Sequence, residues 1–168
     1  PWVCMELIEA ARAFDEGLPP GQSGVPCCIQ LTEALTHAHE RGVLHLDLKP
    51  SNILIDEQHQ PHLIDFGAGG MGFNGHRIRS SAGSPRWMAP EQRDPTRTPD
   101  ARVDVFSVGL VCAASLAQRD VDSVRNHGVK ASDFPNFDRA QTLAKILNRA
   151  IAPNPDERYP NPRLLNED

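Results

Sequence analysis

The stretch His45-Leu46-Asp47-Leu48-Lys49-Pro50-Ser51-Asn52 constrains this chain more than any other. It packs a carboxylate, an ammonium and a carboxamide into the six positions from Asp47 to Asn52. Apolar runs border it, Val43-Leu44 before and Ile53-Leu54-Ile55 after. Short apolar runs around a polar, proline-containing segment read as buried strands presenting a rigid loop. Such a loop brings its polar groups to one point, as loops on rigid scaffolds often do.

The remaining chain reads as support for that point. Its 168 residues suffice for one domain with a sizeable core. A formal charge of −5, with arginines scattered, points to neither a nucleic-acid partner nor a polybasic membrane surface. Cys4, Cys27, Cys28 and Cys112 make no C-x-x-C pair, so the chain reads as a reduced cytoplasmic protein without disulfide or zinc. No apolar run approaches the ~20 residues of a membrane span. The opening Pro1-Trp2-Val3 resembles neither a signal peptide nor a natural start.

In chain order, Trp2 to Ile8 reads as a strand and Ala10 to Glu16 as a short helix stopped by Gly17. A Gly- and Pro-rich loop runs to Pro26. Cys27 to Arg41 is the clearest helix, with Leu31, Leu35 and Ala38 on one stripe and Gly42 as its stop. Asp56 to Pro61 reads as a turn and Leu63-Ile64 as a second buried strand. Residues 67 to 84 are glycine-rich and costly to hold in one conformation. Val103 to Leu116 reads as a buried central helix, and the polar stretch from Gln118 to Phe137 as irregular with room for one short helix. Arg139 to Ala150 reads as an amphipathic helix. Pro153, Pro155, Pro160 and Pro162 then interrupt the chain repeatedly.

The polar groups form a chemical set. A carboxylate beside a hydroxyl orients it and accepts its proton. An ammonium neutralises charge on a transferring phosphoryl group. A carboxamide and a second carboxylate are hard oxygen ligands of the kind Mg²⁺ takes, alongside phosphate oxygens. Asp47, Lys49, Asn52 and Asp65 supply these groups in order.

Several motifs of this chain resemble those of one family. His45 to Asn52 resembles the H-R-D-L-K-x-x-N catalytic loop of eukaryotic-type serine/threonine protein kinases. Asp65-Phe66-Gly67 resembles the D-F-G motif and Ala89-Pro90-Glu91 the A-P-E motif. Asp104-Val105-Phe106-Ser107-Val108-Gly109 is similar to the D-V-W-S-x-G segment of that family's central helix, and Arg158 to the arginine that pairs with the A-P-E glutamate. Five motifs in the right order cover nearly the whole chain.

The resemblance implies a fold and roles. The fold is α+β, mainly α-helical: a kinase C-lobe with short β-ribbons at the cleft, beginning at the hinge and lacking the N-lobe. Residues 5–9 would be the hinge, 45–52 the catalytic loop, 65–91 the activation segment and 103–165 the helical subdomain. Asp47 would be the catalytic base and Lys49 the γ-phosphate contact. Asn52 and Asp65 would bind Mg²⁺. Met5 would be the gatekeeper, with Glu6 and Ile8 offering backbone groups to the adenine of ATP and Leu54 forming the floor beneath it. Ser84 would position the substrate hydroxyl, and with Lys49 favours a serine or threonine acceptor on a protein substrate. His45 would be structural, packed beneath Phe66. Asp104 would be a buried acceptor organising the catalytic loop, and Glu91 with Arg158 a structural ion pair.

Two departures qualify these expectations. Leu46 stands where the family has an arginine that pairs with an activation-loop phosphate. Phosphorylation of Ser80 or Ser81 is therefore expected to be dispensable. The resemblance also begins at the hinge, so the Gly-rich loop, strand lysine and helix glutamate have no counterpart, and these residues alone are expected to bind nucleotide poorly. A non-catalytic, pseudokinase-like binding or scaffold module is the rival reading. Two histidine pairs read as bland: His37 and His39 as solvent-facing on different helix faces, His59 and His62 as solvent-facing turn residues without a nearby carboxylate cluster.

Overall fold

A computed structural model of the chain describes residues 12–14, 24–66 and 84–168. The expected hinge (Met5, Glu6, Ile8), Cys4, Gly67, Ser80 and Ser81 lie outside the described residues. Within them the protein is mainly helical, with one small antiparallel sheet in the order β1-β2-β3.

Helix α1, Val25–Glu40, starts at Gly24 with a proline in its first turn, where a missing N–H costs nothing. Cys27, Leu31, Thr32 and Leu35 form its buried face. Its end is set by backbone chemistry. Val43 N donates to Ala38 O at 3.0 Å and Gly42 N to His39 O at 2.9 Å, the paired closure that needs a left-handed residue. Gly42 supplies it with φ 73°. The chain therefore turns sharply into His45.

The sheet lies just beyond residues 45–52. Strand β2, Ile53–Ile55, pairs with β3, Pro61–Leu63, in the register Ile53 with Leu63 and Leu54 with His62. On its other edge β2 pairs with β1, Arg12–Ala13. This overturns the expected helix from Ala10 to Glu16: the intrinsic preference of a few residues yields to backbone hydrogen bonds with Leu54 and Ile55. The second strand also differs from expectation, because it begins at Pro61 and its residues are only half-buried. Val43 makes a single bridge, so the apolar run before the catalytic loop is not an extended strand.

Helix α2, Ala101–Ala117, is the centre of the fold. Asp100 caps it by accepting Arg102 N at 2.9 Å, and Gln118 ends it at φ 51°. Thirteen of its residues are buried, on all sides, as expected of a helix that is apolar all round. Helix α3, Val121–His127, is capped by Asp120; α4, Ala140–Ala150, buries Ala144, Leu147 and Ala150 against α2. The approach of α2 to α4 is close enough that a Cβ on Gly109 would meet Ala150 Cβ at 2.6 Å.

Helix α5, Pro162–Glu167, was not expected in the proline-rich tail. Its only proline occupies the first turn, where helices tolerate it, and Asn161 caps the start by accepting Leu164 N at 3.0 Å. It packs against α1 and α2. No single helix among the described residues is long and apolar enough to cross a membrane.

Candidate active site

The candidate catalytic loop, residues 45–52, sits between the glycine stop of α1 and strand β2, and α2 holds it from below. Asp104, fully buried, accepts His45 N with Oδ2 at 2.8 Å and Leu46 N with Oδ1 at 2.9 Å. These bonds hold Leu46 at φ 65°, a region that bulky residues rarely occupy. His45 is itself fully buried. Its Nε2 donates to Ile64 O at 3.1 Å, because a carbonyl only accepts, and its ring lies 4.6 Å from that of Phe66.

Three side chains meet above this base. Lys49 Nζ donates to Asp47 Oδ2 at 2.7 Å and to Ser84 Oγ at 2.8 Å. Ser84 N donates to Asp47 Oδ1 at 2.7 Å. Asn52 Nδ2 donates to the Asp47 carbonyl at 2.8 Å, which leaves Oδ1 as the oxygen with which Asn52 can ligate. Ile64 N donates to Asn52 O at 3.0 Å, so Asp65, exposed and at φ 61°, follows directly on the residue bonded to Asn52. An oxygen of a buried carboxamide and an exposed carboxylate suit Mg²⁺, which uses few protein ligands. Leu54 is half-buried in β2.

The segment after Ser84 is fixed largely through its backbone. Trp87 N donates to Ser84 O at 2.9 Å, and Ser107 Oγ of α2 donates to Trp87 O at 2.9 Å. Arg125 of α3 donates to Arg86 O at 2.9 Å and Met88 O at 2.6 Å. Burial, with Arg93 close by, lowers the pKa of the Arg125 guanidinium. Arg158, 0% exposed in its side chain, makes a two-pronged pair with Glu91 at 2.7 and 2.9 Å. It also donates to the carbonyls of Ala152, Arg102 and Pro153.

The histidine readings need correction. His39 does not face solvent: its side chain is 9% exposed and Nε2 lies 2.8 Å from Asp104 Oδ2. The signal was present, since His39 stands four residues after Leu35 and eight after Leu31, on the same buried stripe. His62 lies half-buried in β3, not exposed in a turn, beside a single carboxylate. Its Nε2 lies 2.8 Å from Asp56 Oδ2, and this contact, with the Gln60 amide, holds Asp56 below the usual carboxylate range.

A loop carrying Asp, Lys and Asn over a buried aspartate, joined to the segment beginning at Ser84 by a Lys–Ser contact, defines a kinase-like C-lobe. The protein kinase domain model matches residues 4–167, and the chain belongs to that family. It is similar to the dual specificity mitogen-activated protein kinase kinase hemipterous of Drosophila melanogaster, at 38% identity over 65% of this chain and 10% of that protein. It is also similar to the serine/threonine-protein kinase PknB of Mycobacterium leprae, at 27% over 95% of this chain and 28% of the relative. CBL-interacting serine/threonine-protein kinase 20 of Arabidopsis thaliana is 32% identical over 98% of this chain and 40% of its own length. The chain thus spans well under two thirds of each of these relatives.

Proposed function

We propose that the chain carries the catalytic loop of a protein serine/threonine kinase that uses ATP and Mg²⁺. The observation that supports this reading most directly is the triangle of Asp47, Lys49 and Ser84, with contacts of 2.7 to 2.8 Å. Asp47 orients the acceptor hydroxyl and takes its proton as the oxygen bonds to the γ-phosphorus and the bond to the leaving ADP oxygen breaks. Lys49 places its charge against the transferring phosphoryl group. Asn52 Oδ1 and Asp65 would hold Mg²⁺, which supplies charge neutralisation for the phosphates. Ser84 Oγ, held by Lys49, aligns the acceptor. Glu91, Arg158, Asp104 and His45 keep the loops in place and take no part in the chemistry.

The test is phosphotransfer from γ-labelled Mg-ATP to a generic protein acceptor by the complete protein, with Asp47→Asn as comparator. Loss of a general base predicts a fall of roughly 10²- to 10⁴-fold in kcat. Label on serine and threonine supports the acceptor class; label on tyrosine as well points to a dual-specificity enzyme. Wild-type transfer no greater than that of Asp47→Asn would leave a binding or scaffold module as the reading.

A further inference from the structure

Gln92 is 2% exposed, and the chemistry above does not use it. It is the third residue of the one-turn helix Pro90–Arg93, and its side chain is bonded at both ends. Oε1 accepts Ala89 N at 2.9 Å and Nε2 donates to Leu46 O at 3.0 Å. Both partners are backbone groups of fixed polarity, so the carboxamide fits in one orientation only. The first bond is the ordinary reach of a third-position glutamine to the helix cap. The second has no local explanation, because it crosses 46 residues of sequence to the catalytic loop.

Leu46 is the residue at φ 65° immediately before the candidate base. Its N–H is held by Asp104 and its carbonyl by Gln92, so the peptide planes on both sides of it are fixed. The second plane leads directly into Asp47. The opposite end of the link is equally close to the chemistry. Ala89 follows Met88, whose N–H donates to Ser84 O at 3.2 Å, and Ser84 N donates to Asp47 Oδ1. Asp47, Ser84, Ala89, Gln92 and Leu46 therefore close a ring of contacts. A neutral amide closes that ring without any phosphate.

We propose that Gln92 is a positioning residue: it holds the Leu46–Asp47 peptide in register with the Ser84 segment, a coupling of substrate loop to catalytic loop that is independent of phosphorylation. The inference rests on the kinase reading given above. Misplacing a catalytic group by about 1 Å costs on the order of 10²-fold. In the complete protein, Gln92→Leu is expected to lower kcat ten- to a hundredfold with KM for ATP within about twofold. Gln92→Glu keeps the acceptor for Ala89 N, and donates to Leu46 O only when protonated. Its kcat relative to wild type is expected to fall as pH rises, which a packing role would not produce. Wild-type kcat in Gln92→Leu, or a pH-independent ratio in Gln92→Glu, overturns the inference. If the wild-type protein transfers no phosphate, the kinase reading fails, and the link is read instead by hydrogen exchange. Faster exchange of the Leu46, Asp47 and Ala89 amides in Gln92→Leu supports the coupling; unchanged exchange overturns it.

Discussion

His39 Nε2 lies 2.8 Å from Asp104 Oδ2, the same oxygen that accepts His45 N. Asp104 is thus a buried carboxylate with three donors, His45 N and Leu46 N from the candidate catalytic loop and one from the last turn of α1. Removing the histidine leaves that charge with one partner fewer where water does not reach. His39→Ala is expected to cost about 2 kcal/mol, the scale for exposing a buried polar group to an unmade bond. His37→Ala, at an exposed position, is expected within about 0.5 kcal/mol of wild type. Urea denaturation of the two variants checks the contrast.

Arg158 carries a larger share. It joins Glu91 to three backbone carbonyls and also lies 4.7 Å from the centre of the Phe106 ring. Truncating one partner of a buried pair strands the other, at about 3–5 kcal/mol. Arg158→Ala is therefore expected to be among the most destabilising single changes in this chain. Arg97→Ala breaks an exposed 3.9 Å pair with Asp94 and is expected to be nearly silent, below about 0.5 kcal/mol. Thermal and chemical denaturation distinguish the two.

Gly109 lies on α2 where α4 crosses. In an exposed helix Gly→Ala stabilises by up to about 1 kcal/mol. Here the new methyl would sit 2.6 Å from Ala150 Cβ and 3.3 Å from Ile151 Cγ2. Overpacking of that kind costs about 1–3 kcal/mol, so Gly109→Ala is expected to destabilise despite its better propensity. Ala150→Gly removes the clashing methyl. The double variant is expected to recover part of the loss, a coupling that a double-mutant cycle measures.

Burial, with Cys112 beside it, pushes the Cys27 thiol up to about 12 from its ordinary 9.0. The folded chain therefore keeps a proton that the unfolded chain releases as pH passes 9.0. Where the native state holds the extra proton, stability falls with rising pH. The contribution is complete below pH 9.0 and is lost progressively toward about 12. Melting curves across that range are expected to show a shallower alkaline decline for Cys27→Ala than for wild type. The same protonation makes native Cys27 slow to alkylate at pH 8, and fast only after unfolding.

Much of this was legible in the amino-acid order. The stretch from Val103 to Leu116, apolar but for Asp104, Ser107, Gly109 and Ser115, read as a buried central helix, and Gly42 could be read as a stop because a left-handed residue after a helix is usually glycine. Helix α5 was hidden by a run of prolines, the last of which, Pro162, in fact marks its first turn. Strand β1 is two residues long and exists because β2 offers it hydrogen bonds. Such an element has no signature of its own.

Local sequence determined the chemical inventory: which carboxylate, ammonium and carboxamide could meet, and which helices could carry them. It did so because helix periodicity, caps and loop composition are properties of neighbours along the chain. Tertiary structure decided the partners. That Lys49 reaches Ser84, that His39 turns inward to Asp104, and that Gln92 ties Ala89 to Leu46 are contacts across 35, 65 and 46 residues. A donor buried far from its acceptor in sequence finds it only once the core has closed around both.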